Sequence, residues 1–272
     1  MRRLMIVAFC AVCTIPASFA ERAIEGCSLD QSVGASYNPL GAQSVSQFFY
    51  RIPLFASEDV LWESTKVDVG IVNTLSPAYD LVGVFLKIEP IAVFSLALTA
   101  QLAGFYDALG FGFYGLSGYE AGFDAASLKA LTPRNTGGFV LSAAPTFKMA
   151  IGPVAALDTF SLTYFNVDGG SGYFFERVGN LALGKSDVEF LNQAYVLATI
   201  AAGLRVGVND SLLWVPASGY VSHRLAAMGV YQSKLQKNLS FAFALMLGGF
   251  LADKYYHSSF YAGGQAGVTM SF

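Results

Sequence analysis

Little in this sequence could hold a metal or run acid–base chemistry. It has two histidines and three cysteines in 272 residues. His223 and His257 stand far apart, and no grouping of His, Cys, Asp or Glu has metal-ligand spacing, so neither a metal nor another cofactor is expected. Charge is scarce too: Asp, Glu, Lys and Arg make up 13% of the chain, against about 25% in a soluble domain. The 16 basic and 19 acidic residues leave a mildly acidic balance, with no basic surface for nucleic acid. Long apolar runs are also missing after the first twenty residues. The stretch 81–106 is broken by Lys87, Glu89 and Pro90, and the stretch 241–252 falls short of a span. A membrane helix needs about 20 predominantly apolar residues.

What the chain does have is apolar side chains: 54% of residues are hydrophobic, and mean hydropathy is +0.49. Something other than water must solvate much of such a surface. The first twenty residues read as a secretory signal, with Arg2 and Arg3 ahead of an apolar segment and small residues at Ser18 and Ala20. Cleavage is expected before Glu21, leaving 252 of the 272 residues with 14 basic against 19 acidic side chains. Cys10 and Cys13 would leave with the signal, so Cys27 would be a lone thiol in an oxidising compartment.

The dominant pattern has a period of two. Leu239, Phe241, Phe243, Leu245 and Leu247 alternate with Ser240, Ala242, Ala244, Met246 and Gly248. Phe139, Leu141, Phe147, Met149 and Ile151 alternate with Val140, Ser142, Ala144, Thr146, Lys148 and Ala150. Val67, Val69 and Ile71 alternate with Lys66, Asp68 and Gly70, and Leu204, Val206 and Val208 with Arg205, Gly207 and Asn209. Successive strand residues point to opposite faces. One face is large and apolar while the other is small or polar, as in a strand with lipid outside and a lumen inside. A soluble sandwich also alternates, but its water face would be rich in Lys, Glu and Thr, whereas this one is mostly Ala, Ser and Gly.

Only helices and closed barrels satisfy every backbone group in lipid. The sequence therefore predicts an all-β fold, a transmembrane antiparallel up-and-down barrel. Tight turns are expected at Glu89-Pro90, Gly152-Pro153, Ala202-Gly203 and 236–238, and long Gly/Tyr-rich loops at 105–136 and 166–187. Strands are expected near 45–55, 66–75, 79–88, 90–103, 137–151, 153–166, 189–201, 203–215, 220–232, 239–252 and 257–272. Single-chain bacterial barrels have even strand numbers, so a twelfth is placed around Ser32 to Tyr37, with ten strands as the alternative. The expected organisation is a signal at 1–20, a segment at 21–43 forming a first strand or a plug, and a barrel over 44–272.

The terminal Phe272, with Met270, Val268 and Ala266 alternating before it, resembles the last strand of bacterial outer-membrane β-barrel proteins. The resemblance implies an outer-membrane location in a Gram-negative envelope, outer-membrane lipid as surroundings, and the barrel-assembly machinery as the reader of that strand.

Candidate site residues are few. His257 and Ser259 lie two apart, like the His-x-Ser pair of outer-membrane lipid hydrolases, where His activates the Ser hydroxyl. If Phe272 faces lipid, both odd-numbered residues face the lumen, away from any lipid substrate; a polar pair at the extracellular rim is the other reading. Gly110, Gly112 and Gly115 match G-x-G-x-x-G without a βαβ frame and read as a flexible loop. Lys66, Asp68, Lys148 and Arg205 fall on the inward parity, where they either brace the interior or line a path that selects solutes by charge. Tyr50, Tyr106, Tyr114, Tyr119, Tyr164, Tyr173 and Tyr220 fall near strand ends, as interfacial girdles would. The favoured function is a narrow channel for passive passage of small solutes, or a barrel that serves the envelope structurally. The alternatives are a lipid hydrolase using His257 and Ser259, and an adhesin or receptor acting through its loops.

Overall fold

In the computed structural model of the chain, alternation becomes a closed barrel. The structure describes residues 24–55, 57, 59–106, 113–122, 125–168, 172–176 and 179–272. The expected signal at 1–20, and Gly110 and Gly112 of the glycine motif, lie outside them. The wall is built by β1 (Gly26–Tyr37), β2 (Gly41–Pro53), β3 (Lys66–Leu75), β4 (Tyr79–Ile91) and β5 (Phe94–Phe105). It continues through β7 (Thr136–Ile151), β8 (Val154–Val167), β11 (Ser186–Ala201) and β12 (Leu204–Val215). It ends with β13 (Tyr220–Gln236), β14 (Leu239–Ala252) and β15 (Phe260–Ser271). Each strand pairs antiparallel with its neighbours in the wall, and β1 closes the ring against β15, with Ser28 opposite Ser271 and Tyr37 opposite Ala262. Three short strands, β6 (Gly115–Leu116), β9 (Tyr173–Glu176) and β10 (Leu181–Gly184), form a separate small sheet, and α1 (Ala125–Lys129) is the one described helix.

The closed ring therefore has twelve strands, not ten. The twelfth runs from Gly26, earlier than the Ser32 expected from pattern alone. β3 and β14 match their expected bounds. One expected turn is not a turn: Glu89 and Pro90 continue β4, and the chain reverses at Ala92-Val93. Pro90 has no N–H to give the ladder, and the β4–β5 register shifts between Ile88 and Ile91, so the proline sits where pairing is interrupted. The other short reversals hold, and Gly152 (φ 57) and Gly203 (φ 74) supply the left-handed backbone they require. All of these lie at one end of the barrel. That end also carries a longer connection, 54–65, while the loops 106–135 and 168–185 lie at the other.

The outward residues are the large apolar ones. Leu102 and Ile151 are each 70% exposed, and Ile71, Val84, Ile200 and Leu247 are more than half exposed. Trp214, Phe260 and Tyr37 mark the outer surface near the loop end, and Tyr50, Phe147 and Tyr231 near the short-turn end. Phe272 is 69% exposed and Val268 points the same way. A soluble fold would bury these side chains. Here they form a continuous belt around strands of 10 to 17 residues, long enough to cross a bilayer, which takes about 9–11 tilted residues. The chain spans a membrane as a β-barrel.

Candidate functional site: the lumen and its plug

The loop end of the lumen is filled by the chain's own long loops. Along β9 and β10, Phe174, Leu181 and Leu183 share one face of the small sheet and are fully buried. They pack with Phe113 against inward residues of the wall, among them Tyr79, Phe105, Val140, Val167 and Val215. Phe113 stacks on Phe174 at 5.3 Å between ring centroids and meets Phe105 edge-on at 5.5 Å. The opposite face of the sheet is buried as well, with Phe175 and Ala182 joining Tyr114, Leu116 and Leu128. A sheet buried on both faces inside a barrel is a plug.

Polar clasps tie this plug to the rim. The Tyr119 hydroxyl donates to Asp187 Oδ2 at 2.8 Å, and the Gly184 N–H donates to the same oxygen at 2.8 Å. Burial, then the Asp187 carboxylate, pushes the Tyr119 phenol up to about 12. Lys254 of the rim pairs with Glu120 of the plug loop at 3.1 Å, and beside it on the rim the Tyr220 hydroxyl donates to Asp253 Oδ2 at 2.8 Å.

Of the tyrosines expected in girdles, Tyr50 and Tyr164 lie on the outer surface. Tyr114, Tyr119 and Tyr173 instead belong to the plug, Tyr220 packs against it from the inner face of β13, and Tyr106 donates to the Ser76 carbonyl at the rim. The girdle reading is corrected for those five. Their rings find an apolar interior and their hydroxyls partners, which a lumen wider than its own side chains makes room for.

His257 and Ser259 are not on a strand. β15 begins at Phe260, and both residues lie in the turn 253–259. Asp253 shapes that turn by accepting from the N–H groups of Tyr255 (2.7 Å) and Tyr256 (2.9 Å), so the strand cannot start at 257. His257 is exposed and makes no hydrogen bond to Ser259. The carboxylate that might have oriented it is engaged with Tyr220.

The short-turn end of the lumen is charged. Lys66, Asp68, Lys148 and Arg205 all point inward. Arg51 and Asp68, opposite each other in register, make a two-pronged ion pair: Nε to Oδ1 at 2.7 Å and Nη2 to Oδ2 at 3.0 Å. Glu89 accepts from Lys148 at 2.8 Å and lies 3.8 Å from Lys66. Arg205 sits between Thr199 and Val230 in register, and its Nη1 is buried without a hydrogen-bond partner among the described residues. Beside it, Leu157, Tyr195, Leu197, Met228 and Val230 form an apolar wall. Arg51 escaped the sequence reading although it lies on the inward parity of a strand that reading had found, and Glu89 escaped because it was assigned to a turn with Pro90. Among the described residues no group of side chains is arranged to hold a metal.

No protein-family model matches the chain, and no curated protein matches it. Solved structures do. The transport unit of the autotransporter AIDA-I from Escherichia coli is 10% identical with a TM-score of 0.43, over 97% of this chain and 94% of that one. The translocator domain of the autotransporter NalP from Neisseria meningitidis is 11% identical with a TM-score of 0.48, over 92% and 89%. The β domain of the Bordetella autotransporter BrkA is 13% identical with a TM-score of 0.48, over 91% and 99%. This is likeness of fold alone. The barrel is of the bacterial outer-membrane type: closed, antiparallel, even in strand number and belted with apolar side chains.

Proposed function

We propose that the protein is a narrow outer-membrane channel for small solutes, closed at its loop end by the plug. The observation that supports this most directly is the division of labour inside the lumen. The loop half is filled by a small sheet outside the barrel ladder, packed on inward wall side chains. The other half is lined by charged groups that water can reach once the sheet moves. A second reading, a structural envelope barrel, draws on the ion pairs themselves: Arg51–Asp68 and Glu89 with Lys66 and Lys148 brace β2, β3, β4 and β7 against each other. The outward Phe272, Met270 and Val268 serve in either case as the strand read at assembly.

Planar-bilayer recording separates the two readings. Wild-type protein should be mostly closed with discrete openings. Leu183→Asp, which sets a charge in the fully buried grip of the plug, should raise the open fraction at least tenfold. A correctly folded Leu183→Asp barrel that stays silent would remove the channel reading and leave the structural one.

A further inference from the structure

One set of wall side chains is out of place against lipid. The outward residues of β12 run Val206, Val208, Asp210, Leu212, Trp214. Those of β8 run Val154, Ala156, Asp158, Phe160, Leu162. Between and beside them, β11 contributes Asn192 and β13 contributes His223 on the same outer face. Register fixes this: Asp158 is opposite Ala194 and Ala194 opposite Asp210, while Asn192 is opposite Leu212 and Leu212 opposite His223. Three adjacent strands, β8, β11 and β12, thus each carry one polar residue in one band, and His223 of β13 sits nearer the loop end, from where its ring reaches Asp210. Above it, Phe190 stacks on Trp214 at 5.2 Å. Below it lie Val196, Val208, Val206 and Ile200. The band is inside the apolar belt, not at its edge.

Ionisable side chains in membrane segments are rare and almost always face protein or a water-filled cavity. The four residues soften their cost locally. Asn192 Nδ2 donates to Asp158 Oδ1 at 2.6 Å, and His223 Nε2 lies 3.1 Å from both Asp210 oxygens. Yet the His223 and Asp210 side chains remain 33% and 45% exposed. Asn192 keeps a second amide hydrogen, and Asp210 keeps free lone pairs. The other outward polar groups differ: Gln31 with Ser44 and Ser46 is uncharged, and Asp80, held by Asn73, sits at the loop end of β4.

The depth of these groups identifies what covers them. A row of paired residues climbs toward the loop end in chain order. Starting at Gln31 in mid-β1, it passes Ser46, Asn73, Val82, Leu102, Phe139 and Asn166 and reaches Ser186, the first residue of β11. With strands tilted about 35–45° and spaced about 4.8 Å, each step lifts the row about 3 Å. Two residues along a strand change depth by about 5 Å. Asp210 is therefore about 3 Å and Asn192 about 5 Å closer to the loop end than Ala194, so the two polar residues lie within about 2 Å of one depth on adjacent strands. A two-fold axis along the membrane normal, running between β11 and β12, sets Asn192 of one copy opposite Asp210 of the other, twice over. Ala156, Ala194 and Ala227 keep this part of the wall low, which lets two backbones approach.

We propose that the β8–β11–β12–β13 face is a self-association surface, on which a second copy of this chain covers the polar band through reciprocal Asn192–Asp210 hydrogen bonds. The interface is isologous, as two-fold contacts require, and it is independent of whether the lumen conducts.

Thiol crosslinking in native outer membranes tests it. In a Cys27→Ser background, Ala194→Cys with a short bismaleimide should give a band of twice the monomer mass as the main product. Val33→Cys, exposed on the opposite wall, should give none. Asp210→Leu, which relieves the wall of a charge and so leaves folding intact, should cut the Ala194→Cys dimer at least tenfold. Heat-modifiable mobility checks the fold of each variant. Equal crosslinking from Val33→Cys, no dimer from a reactive Ala194→Cys thiol, a dimer indifferent to Asp210→Leu, or a product whose mass shows a different protein would each overturn the proposal.

Discussion

Phe174 offers the sharpest test of the plug. Its ring is fully buried, stacked on Phe113 at 5.3 Å, and seated among wall residues from several strands. Truncating a buried Phe to Ala costs about 3–5 kcal/mol. The ring belongs to the plug but not to the barrel ladder, so the loss falls on docking of the loops rather than on the wall. At roughly 1.4 kcal/mol per factor of ten, the ratio of docked to undocked plug should fall at least about 100-fold in Phe174→Ala. Proteolysis of a transiently opened segment tracks its open population when closing is fast. Limited proteolysis of the barrel in detergent micelles should therefore show cuts within 106–135 and 168–185 appearing about 100 times faster than in wild type. Single-channel recording on the same sample should show a matching rise in open fraction. If the loops become protease-sensitive while conductance stays unchanged, the plug is not the gate. If neither changes in a folded variant, the grip has been assigned to the wrong side chains.

Further outcomes can be checked on the same preparation. Burial and the Asp187 carboxylate push the Tyr119 phenol up to about 12 from its ordinary value near 10. Because the folded value is raised, the contribution of the clasp is full below about pH 10 and lost as pH rises through about 12. Loop proteolysis should accelerate across that window, and Tyr119→Phe should remove the phenol's part of the acceleration. Lys148→Met strips Glu89 of its 2.8 Å partner and leaves the Ser64 hydroxyl at 3.5 Å and Lys66 at 3.8 Å. Removing one partner of a buried pair costs about 3–5 kcal/mol; with Lys66 still present, urea titration in lipid vesicles should show the lower end of that range. Adding Glu89→Leu should recover most of the loss. Leu245→Arg places a charge on the belt of β14 and should destabilise the barrel by about 2–4 kcal/mol in the same titration. A change below about 0.5 kcal/mol, the scatter of surface substitutions, would put Leu245 away from lipid.

The wall was legible because its signal is repetitive. β3 and β14 could be bounded to the residue since large and small side chains alternate over most of each strand, broken in β3 at Val72-Asn73 and in β14 at Gly249-Phe250. β4 was cut short because Pro90 looks like a turn when its partner strand is unknown; only the β4–β5 register shows that a bulge absorbs it. The plug was not legible as a plug. Four-residue strands are too short to establish a period, and β9 and β10 are buried on both faces, which erases alternation. A weak trace was present all the same: Phe174-Phe175 and Leu181-Ala182-Leu183 are apolar runs that a water-exposed loop would not carry. His257 and Ser259 were misplaced because parity was extended three residues past the start of β15, into a turn fixed by backbone hydrogen bonds to Asp253. The outward Asp158 and Asp210 were within reach of the same parity argument, since each interrupts an apolar series on a strand already found.

The pairing of β1 with β15 also governs when this fold can exist. Ser28 and Ser271 are partners across 243 positions of chain. Until the last dozen residues are delivered, β1 and every partial sheet behind it present an open edge of unpaired N–H and C=O groups to solvent, a template for joining other chains. Contacts this distant in sequence are also slow to form, because loop closure must precede their reward. The chain has no smaller closed form to wait in. It has to cross an aqueous compartment as an apolar, unclosed polypeptide, so its survival on the way depends on being held apart from its own copies until both termini are present together at the membrane.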